Sequence, residues 1–224
     1  MEKSALRMLE KFQKAKTNRV LFESLFEECY EYAMPMRQSF YYESPGQRRD
    51  DKIFDETAVV GVQEFASRLQ SGLVPNFARW ADLLAGSEVP DQNQDDINNS
   101  LDQVTDYVFE IIQNSNFGQE VHESFMDLAV GTGILLVEEG DAVNPVRFNA
   151  IPLPSVYLDT GPDDKIDHVY RQRSLKYEEI PIAYQKAELG EKTAKSIASN
   201  PDAKVDVVEI VCRNYSKPNQ DLFD

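Results

Sequence analysis

Few residues in this chain have the type and spacing that chemistry requires. Pro201-Asp202 followed by Glu209 comes closest. Restriction-type nucleases hold a metal with one acid and then acid-x-Lys on adjacent strands, but Val211 stands here where the lysine belongs. A turn followed by a strand with one outward glutamate accounts for the pattern better. His122-Glu123 begins like a zinc-protease helix, yet Met126 occupies the place of the second histidine, and a single histidine holds no zinc. Gly190-Glu191-Lys192-Thr193 lacks the earlier glycine of a phosphate loop and puts Glu191 between glycine and lysine, so it reads as a turn between helices. Asp95-Asp96 and Asp163-Asp164 are carboxylate pairs of the kind that does acid–base work, but both fall in polar, turn-like stretches where aspartate is favoured anyway. No catalytic, cofactor-binding or metal-ligating residue is assigned, and the chain reads as a non-enzyme.

Two features could meet nucleic acid. Tyr41-Tyr42 with Arg48-Arg49 combines stacking rings and cations, as single-strand binders do. Glu43, Asp50 and Asp51 cancel that charge, and an ordered loop touching a neighbouring subunit explains the segment at least as well. Tyr41, Tyr42, Arg48 and Arg49 are therefore candidate inter-subunit contacts. Gly131-Thr132-Gly133 resembles a phosphate turn only weakly, because no helix N-terminus follows to supply a dipole and aligned amides. A tight reversal where the hydrophobic period changes fits it better.

The composition narrows the class further. A net charge of −16 over 224 residues argues against non-specific binding to a DNA backbone, which rests on Lys and Arg displacing counterions. A merely well-solvated surface is the commoner meaning of such a charge, and it also suits a surface past which DNA slides without sticking. The hydrophobic fraction of 42% supports a packed core rather than disorder. Cys29 and Cys212 form no disulfide framework and read as buried thiols, one on the apolar side of a helix and one in a strand. No apolar run is long enough to span a membrane and none resembles a signal peptide.

The elements that must carry these residues follow from hydrophobic period. Residues 3–33 read as one long helix, with Leu6, Leu9 and Phe12 and then Leu21, Phe22, Leu25, Phe26, Cys29 and Tyr30 on a stripe that Lys14, Lys16 and Arg19 interrupt. Pro35 ends it. After a loop over 37–53, a second helix starts near Asp55 and runs to Gly72-Leu73. Residues 78–84, around Trp80, are expected as a short strand, and an acidic linker covers 87–96. Helices are expected over 97–114 and 117–130. Strands follow at 134–138, 146–151, 155–159, 165–173 and 204–215, with a helical piece over 177–198 between the last two. The expected fold is α+β, helices packed with a mostly antiparallel sheet, divided into a mainly helical portion 1–130 and a β-rich portion 131–224.

Three blocks stand out in that order. The first comprises Tyr30-Glu31-Tyr32-Ala33-Met34-Pro35, Phe54-Asp55-Glu56-Thr57-Ala58, Phe65 through Pro75 and Arg79-Trp80-Ala81-Asp82-Leu83. The second is the helix from Phe117 to Ala129 running into Gly131-Thr132-Gly133-Ile134-Leu135-Leu136-Val137. The third is Phe148-Asn149-Ala150-Ile151-Pro152-Leu153 leading to Ile166-Asp167-His168-Val169-Tyr170-Arg171. Together these blocks resemble the head-to-tail connector, or portal, proteins of short-tailed, podovirus-type phages, in which a second aromatic often follows the tryptophan, where this chain has Ala81. Family members are also more than twice as long, so the resemblance implies the N-terminal portion of the wing of a longer chain.

The resemblance implies a mechanical role. Such proteins form a ring, expected here as twelve copies, at one capsid vertex of the virion, assembled in the host cytoplasm. Double-stranded DNA passes through it during packaging and ejection without sequence-specific binding. The implied partners are the chain itself, capsid protein, a separate terminase and a tail adaptor. No cofactor and no membrane are implied. A neck adaptor or scaffold protein is the alternative, and a metal nuclease using Asp202 and Glu209 a more distant one.

Overall fold

The computed structural model describes residues 2–37, 39–41, 53–87 and 89–213. Its architecture is α+β with antiparallel sheets of two and three strands. The described residues of Met1–Phe22 and Ser155–Asp224 form one compact unit, and those of Glu23–Pro154 form another. Helix α1 (Glu2–Ala33) contributes its first turns to the former and its last turns to the latter.

The first unit is a sheet with a helix laid on it. β3 (Val156–Thr160), β4 (Ile166–Lys176) and β5 (Lys204–Cys212) pair in the order β3-β4-β5, antiparallel throughout. The register sets Tyr157 opposite Tyr170, and Tyr170 opposite Ile210. Phe12 and Ala15, three apart and hence on one face of α1, bury against those two tyrosines, with Val208 and Ile210 packed alongside. The Phe12 ring meets Tyr157 edge-on at 5.2 Å. Arg19 lies over the Tyr157 ring at 3.6 Å and donates to the Val156 carbonyl. The β3–β4 turn needs the left-handed backbone of Asp164 (φ 55°), which an aspartate tolerates. Between β4 and β5 lie a 3-10 turn at Tyr177–Glu179, a short α5 (Ile180–Ala183) and α6 (Glu191–Ser199). The helical piece expected over 177–198 is thus broken at 184–190, and Gly190 caps the new helix that Glu191 opens.

The second unit packs the end of α1, α2 (Thr57–Leu73), α3 (Asp91–Asn114) and α4 (Phe117–Val130) with the hairpin β1 (Leu135–Glu139) and β2 (Val146–Ala150). One core gathers Tyr30, Met34 and Leu153, with Phe26, Phe40, Val62 and Met126. Another gathers Phe117, Val121 and Phe148, with Ile112 and Leu135. The free edge of β2 is satisfied from α4. Asn116 donates to the Phe148 carbonyl at 2.7 Å and accepts from its N–H at 2.9 Å, and Glu120 accepts from the Ala150 N–H at 2.7 Å. One asparagine therefore acts as a strand partner, leaving fewer unpaired backbone groups at an edge.

Two expectations here are corrected. The acidic stretch expected as linker to residue 96 is already helical from Asp91, so Asp95-Asp96 stands in the first turns of α3 rather than in a turn. Acidic side chains favour the positive end of a helix, which explains why that end carries no apolar signal. Residues 78–84 are extended but pair with no described strand.

Candidate assembly surface

The extended segment around Trp80 lies on α3, held by side chains instead of a sheet ladder. The Leu83 N–H donates to Thr105 Oγ1 at 3.3 Å, and the Ala85 N–H donates to Asn98 Oδ1 at 2.8 Å. Thr105 and Asn98 are seven residues apart, two turns on one helix face. Arg79 anchors the start of the segment. Its guanidinium donates to Asp102 at 2.5 Å and Asp106 at 2.8 Å, a pair one helical turn apart, and meets Asp82 at 2.5 Å. The hydrogen bond it donates to Asp102, then that to Asp82, raises the Arg79 pKa further above its already high value. Trp80 stacks on Phe117 at 6.0 Å and meets Phe109 edge-on at 5.1 Å.

Behind Trp80 opens a cleft of about 780 Å³, lined among others by Gln70, Phe77, Trp80, Phe109 and His122. Its polar wall is internally satisfied. Gln70 donates to Asn76 Oδ1 and to the Gly118 carbonyl, both at 2.8 Å, while its Oε1 lies 3.1 Å from His122 Nδ1. His122 is therefore engaged by an amide, and Met126, four residues on, packs in the core of Tyr30 and Leu153. Phe77 at the rim is 90% exposed, and Leu84 further along is 73% exposed. Phe54, ahead of α2, is 96% exposed. Large apolar side chains standing this far out cost solvation free energy unless something covers them.

Beneath the surface, a buried charge cluster ties α1 to α4. Tyr30 donates to Asp127 Oδ1 at 2.6 Å, and Arg37 approaches Asp127 at 3.5 Å while donating to Glu123 Oε2 at 2.7 Å and to the Glu123 carbonyl. Burial raises the Asp127 pKa, against the Tyr30 hydrogen bond and the Arg37 charge, which lower it. Burial likewise raises the Tyr30 phenol, assisted by the Asp127 charge.

The residues singled out in the sequence take the following places. Tyr41 is 54% exposed and its N–H donates to Ser39 Oγ. Tyr42, Arg48 and Arg49 lie outside the described residues. Glu209 accepts from Arg173 at 2.9 Å, Arg171 at 3.3 Å and the Tyr184 hydroxyl at 2.5 Å, so its carboxylate is occupied by cations. Asp202 is paired with Lys176 at 2.7 Å. Among the described residues no group of three or more His, Cys, Asp or Glu is placed to hold a metal ion. Asp163-Asp164 forms the β3–β4 turn. Cys29 and Cys212 are half-buried rather than buried. Among the described residues no helix is long and apolar enough to cross a membrane.

Sequence reasoning missed the Arg79 clamp and the exposed Phe77. The clamp had one local signal, Arg79-x-x-Asp82, and one helical signal, Asp102-x-x-x-Asp106, on segments whose contact only folding reveals.

A profile of the bacteriophage head to tail connecting protein family matches residues 5–221, and the chain belongs to that family. Membership makes it a structural phage connector and a virion component, with capsid and tail components as its implied neighbours. No curated protein matches the chain.

Proposed function

We propose that this chain is the wing portion of a portal subunit of a short-tailed, podovirus-type phage. A ring of about twelve copies sits at one capsid vertex, packaged and ejected DNA passes through it, and the tail adaptor and the packaging terminase dock on it. One observation carries the reading to self-assembly. In a connector-family chain, Phe54, Phe77 and Leu84 stand 73% or more exposed on the second unit. Subunit contact is the ordinary way to cover such side chains. The segment holding Tyr41, Tyr42, Arg48 and Arg49 is proposed to supply further inter-subunit contact, with Tyr41 exposed to receive it.

The acidic balance supports a DNA path that repels phosphate. Head assembly, and with it ring formation, takes place in the host cytoplasm. Light scattering and negative-stain imaging of the purified full-length gene product test the reading. Closed rings with a central hole are expected, and a monomer that persists at high concentration overturns it in favour of a neck adaptor.

A further inference from the structure

Among the described residues, the first polar contact that α1 makes with the three-stranded sheet joins Lys11 Nζ to His168 Nε2, at 3.0 Å. Lys16 and Arg19 bond to the sheet further along, and Phe12 and Ala15 bury against Tyr157 and Tyr170. Ahead of Phe12 the helix has little else to hold it. Over residues 5–11 only Met8 and Lys11 are half-buried, and the other five are exposed.

That contact fixes the protonation of the histidine. An ammonium group only donates, so Nε2 accepts, and the proton of the neutral ring sits on Nδ1. Nδ1 is buried without a hydrogen-bond partner, and the Asp167 carboxylate stands 3.7 Å from it, just out of reach. Both His168 and Asp167 are buried. The register places Asp159 of β3 on one side of His168 and Cys212 of β5 on the other, and the ring stacks on Tyr170 at 6.0 Å. Burial, then the Asp159 charge and Cys212, push the Tyr170 phenol up to about 12, so it stays neutral across the range in which histidine titrates. The ring therefore meets one cation, Lys11 from α1, and the carboxylates Asp159 and Asp167 from the sheet.

We propose that His168 is a proton-operated latch for the first turns of α1. A proton taken from solvent at Nε2 turns the acceptor into a donor and sets two cations 3.0 Å apart, so the Lys11 bond is lost. The imidazolium is held instead by the carboxylates beside it, and closing the 3.7 Å gap to Asp167 gives the Nδ1–H a charged acceptor. The sheet keeps its histidine while the helix loses its tether. Residues 5–11 then detach and fray, since a helix end of two turns has little stability of its own. Phe12 and Ala15 keep the following turns in place. The latch lies wholly within the first unit and does not depend on the ring reading.

Hydrogen exchange of the whole chain, read by mass spectrometry and corrected for the intrinsic effect of pH, tests this. From about pH 7.5 to about pH 5, protection of residues 5–11 falls about tenfold or more, while that of residues 12–22 changes little. His168→Gln abolishes the step, because its amide oxygen accepts from Lys11 and cannot titrate. Lys11→Met abolishes it as well, with low protection at both pH values, because the tether is gone; this variant decides the matter if the glutamine variant fails to fold. Light scattering at both pH values confirms one state of assembly, which keeps the result separate from the ring reading. A native chain equally protected at both pH values overturns the latch. A step that persists in either variant overturns it too, since another group then carries the effect. Full protection in Lys11→Met also overturns it, by showing that the tether is not what holds these turns.

Discussion

The Tyr30 hydroxyl donates to Asp127 Oδ1 at 2.6 Å across 97 residues of sequence, joining the last turns of α1 to α4 inside the second unit. Both side chains are essentially inaccessible to water, so the bond is the main compensation for burying a carboxyl. Tyr30→Phe should cost about 1.5–3 kcal/mol in urea unfolding, as expected for a hydrogen bond to a charged group. Asp127→Ala should cost more, because it takes the acceptor from both the buried Tyr30 hydroxyl and the Leu153 N–H, about 1–3 kcal/mol for each group left unsatisfied. Asp127→Asn keeps an acceptor for Tyr30 and separates charge from geometry. Burial holds the folded Asp127 pKa above its unfolded value. Its contribution is therefore fully present below the unfolded pKa and is lost as pH rises through the folded one. The Asn variant should gain on the native chain as pH rises, and a difference that stays flat with pH would contradict the assigned cause.

Such a pair shows where legibility ends. The helix α1 was readable because Phe12, Tyr30 and their neighbours repeat at helical spacing and Pro35 stops them. The strands were readable because Gly140-Asp141 and Gly161-Pro162-Asp163-Asp164 punctuate runs of β-branched and aromatic residues. The start of α3 was not, since Asp91 to Asp96 brings helix-end charge preference without an apolar period. Residues 78–84 carried a strand-like composition, but the backbone of Leu83 and of the following Ala85 is held by Thr105 and Asn98 side chains, and no local pattern distinguishes those from a neighbouring strand. The assembly surface was legible only as a family resemblance. Exposure of Phe77 or Val104 is a property of the packed chain, and period alone cannot tell a covered apolar face from an open one.

Gly133 should be intolerant of any side chain. A Cβ there would lie 2.5 Å from the Ser124 carbonyl oxygen, a backbone atom that cannot swing aside. Gly133→Ala should therefore cost about 1–3 kcal/mol, the usual range for overpacking. Gly61, inside α2 with nothing within 4 Å of its would-be Cβ, provides the contrast. Gly61→Ala should stabilise by roughly 0.5–1 kcal/mol through reduced unfolded-state freedom. Thermal melts of both variants check the pair, and equal effects would show that close approach at Gly133 is not the constraint.

Glu209 titrates with the opposite sign to Asp127. Burial pushes its pKa up, but the Tyr184 hydrogen bond and the Arg173 and Arg171 cations outweigh that and leave it lowered. Its contribution to stability is thus present above the unfolded value, about 4.3, and is lost as pH falls through the folded one. Glu209→Gln should be clearly less stable than the native chain at pH 7, and the gap should close below about pH 4. Chemical denaturation across pH 3–8 measures it. The same variant addresses the metal-nuclease alternative: a loss of Mg²⁺-dependent cleavage, rather than of stability, would revive it.

Trp80 is the chain's single tryptophan, so fluorescence excited selectively at tryptophan reports on the extended segment alone. The ring is 38% exposed, and next to it Arg79 is outnumbered by Asp82, Asp102 and Asp106. A small neutral quencher reaches the ring by size, whereas an anion also meets the local field. Iodide should therefore quench about two- to threefold less efficiently than acrylamide at low salt, and the gap should narrow near 1 M salt, where the Debye length falls to about 3 Å. Asp102→Asn with Asp106→Asn should raise iodide quenching and leave acrylamide quenching unchanged. If copies cover this surface on assembly, raising the protein concentration should lower acrylamide access as well, because Trp80 and the rim residue Phe77 lie on the same cleft. Iodide and acrylamide quenching equally at low salt would mean that the Arg79 clamp neutralises its three aspartates, and the field assigned to this surface would then be wrong.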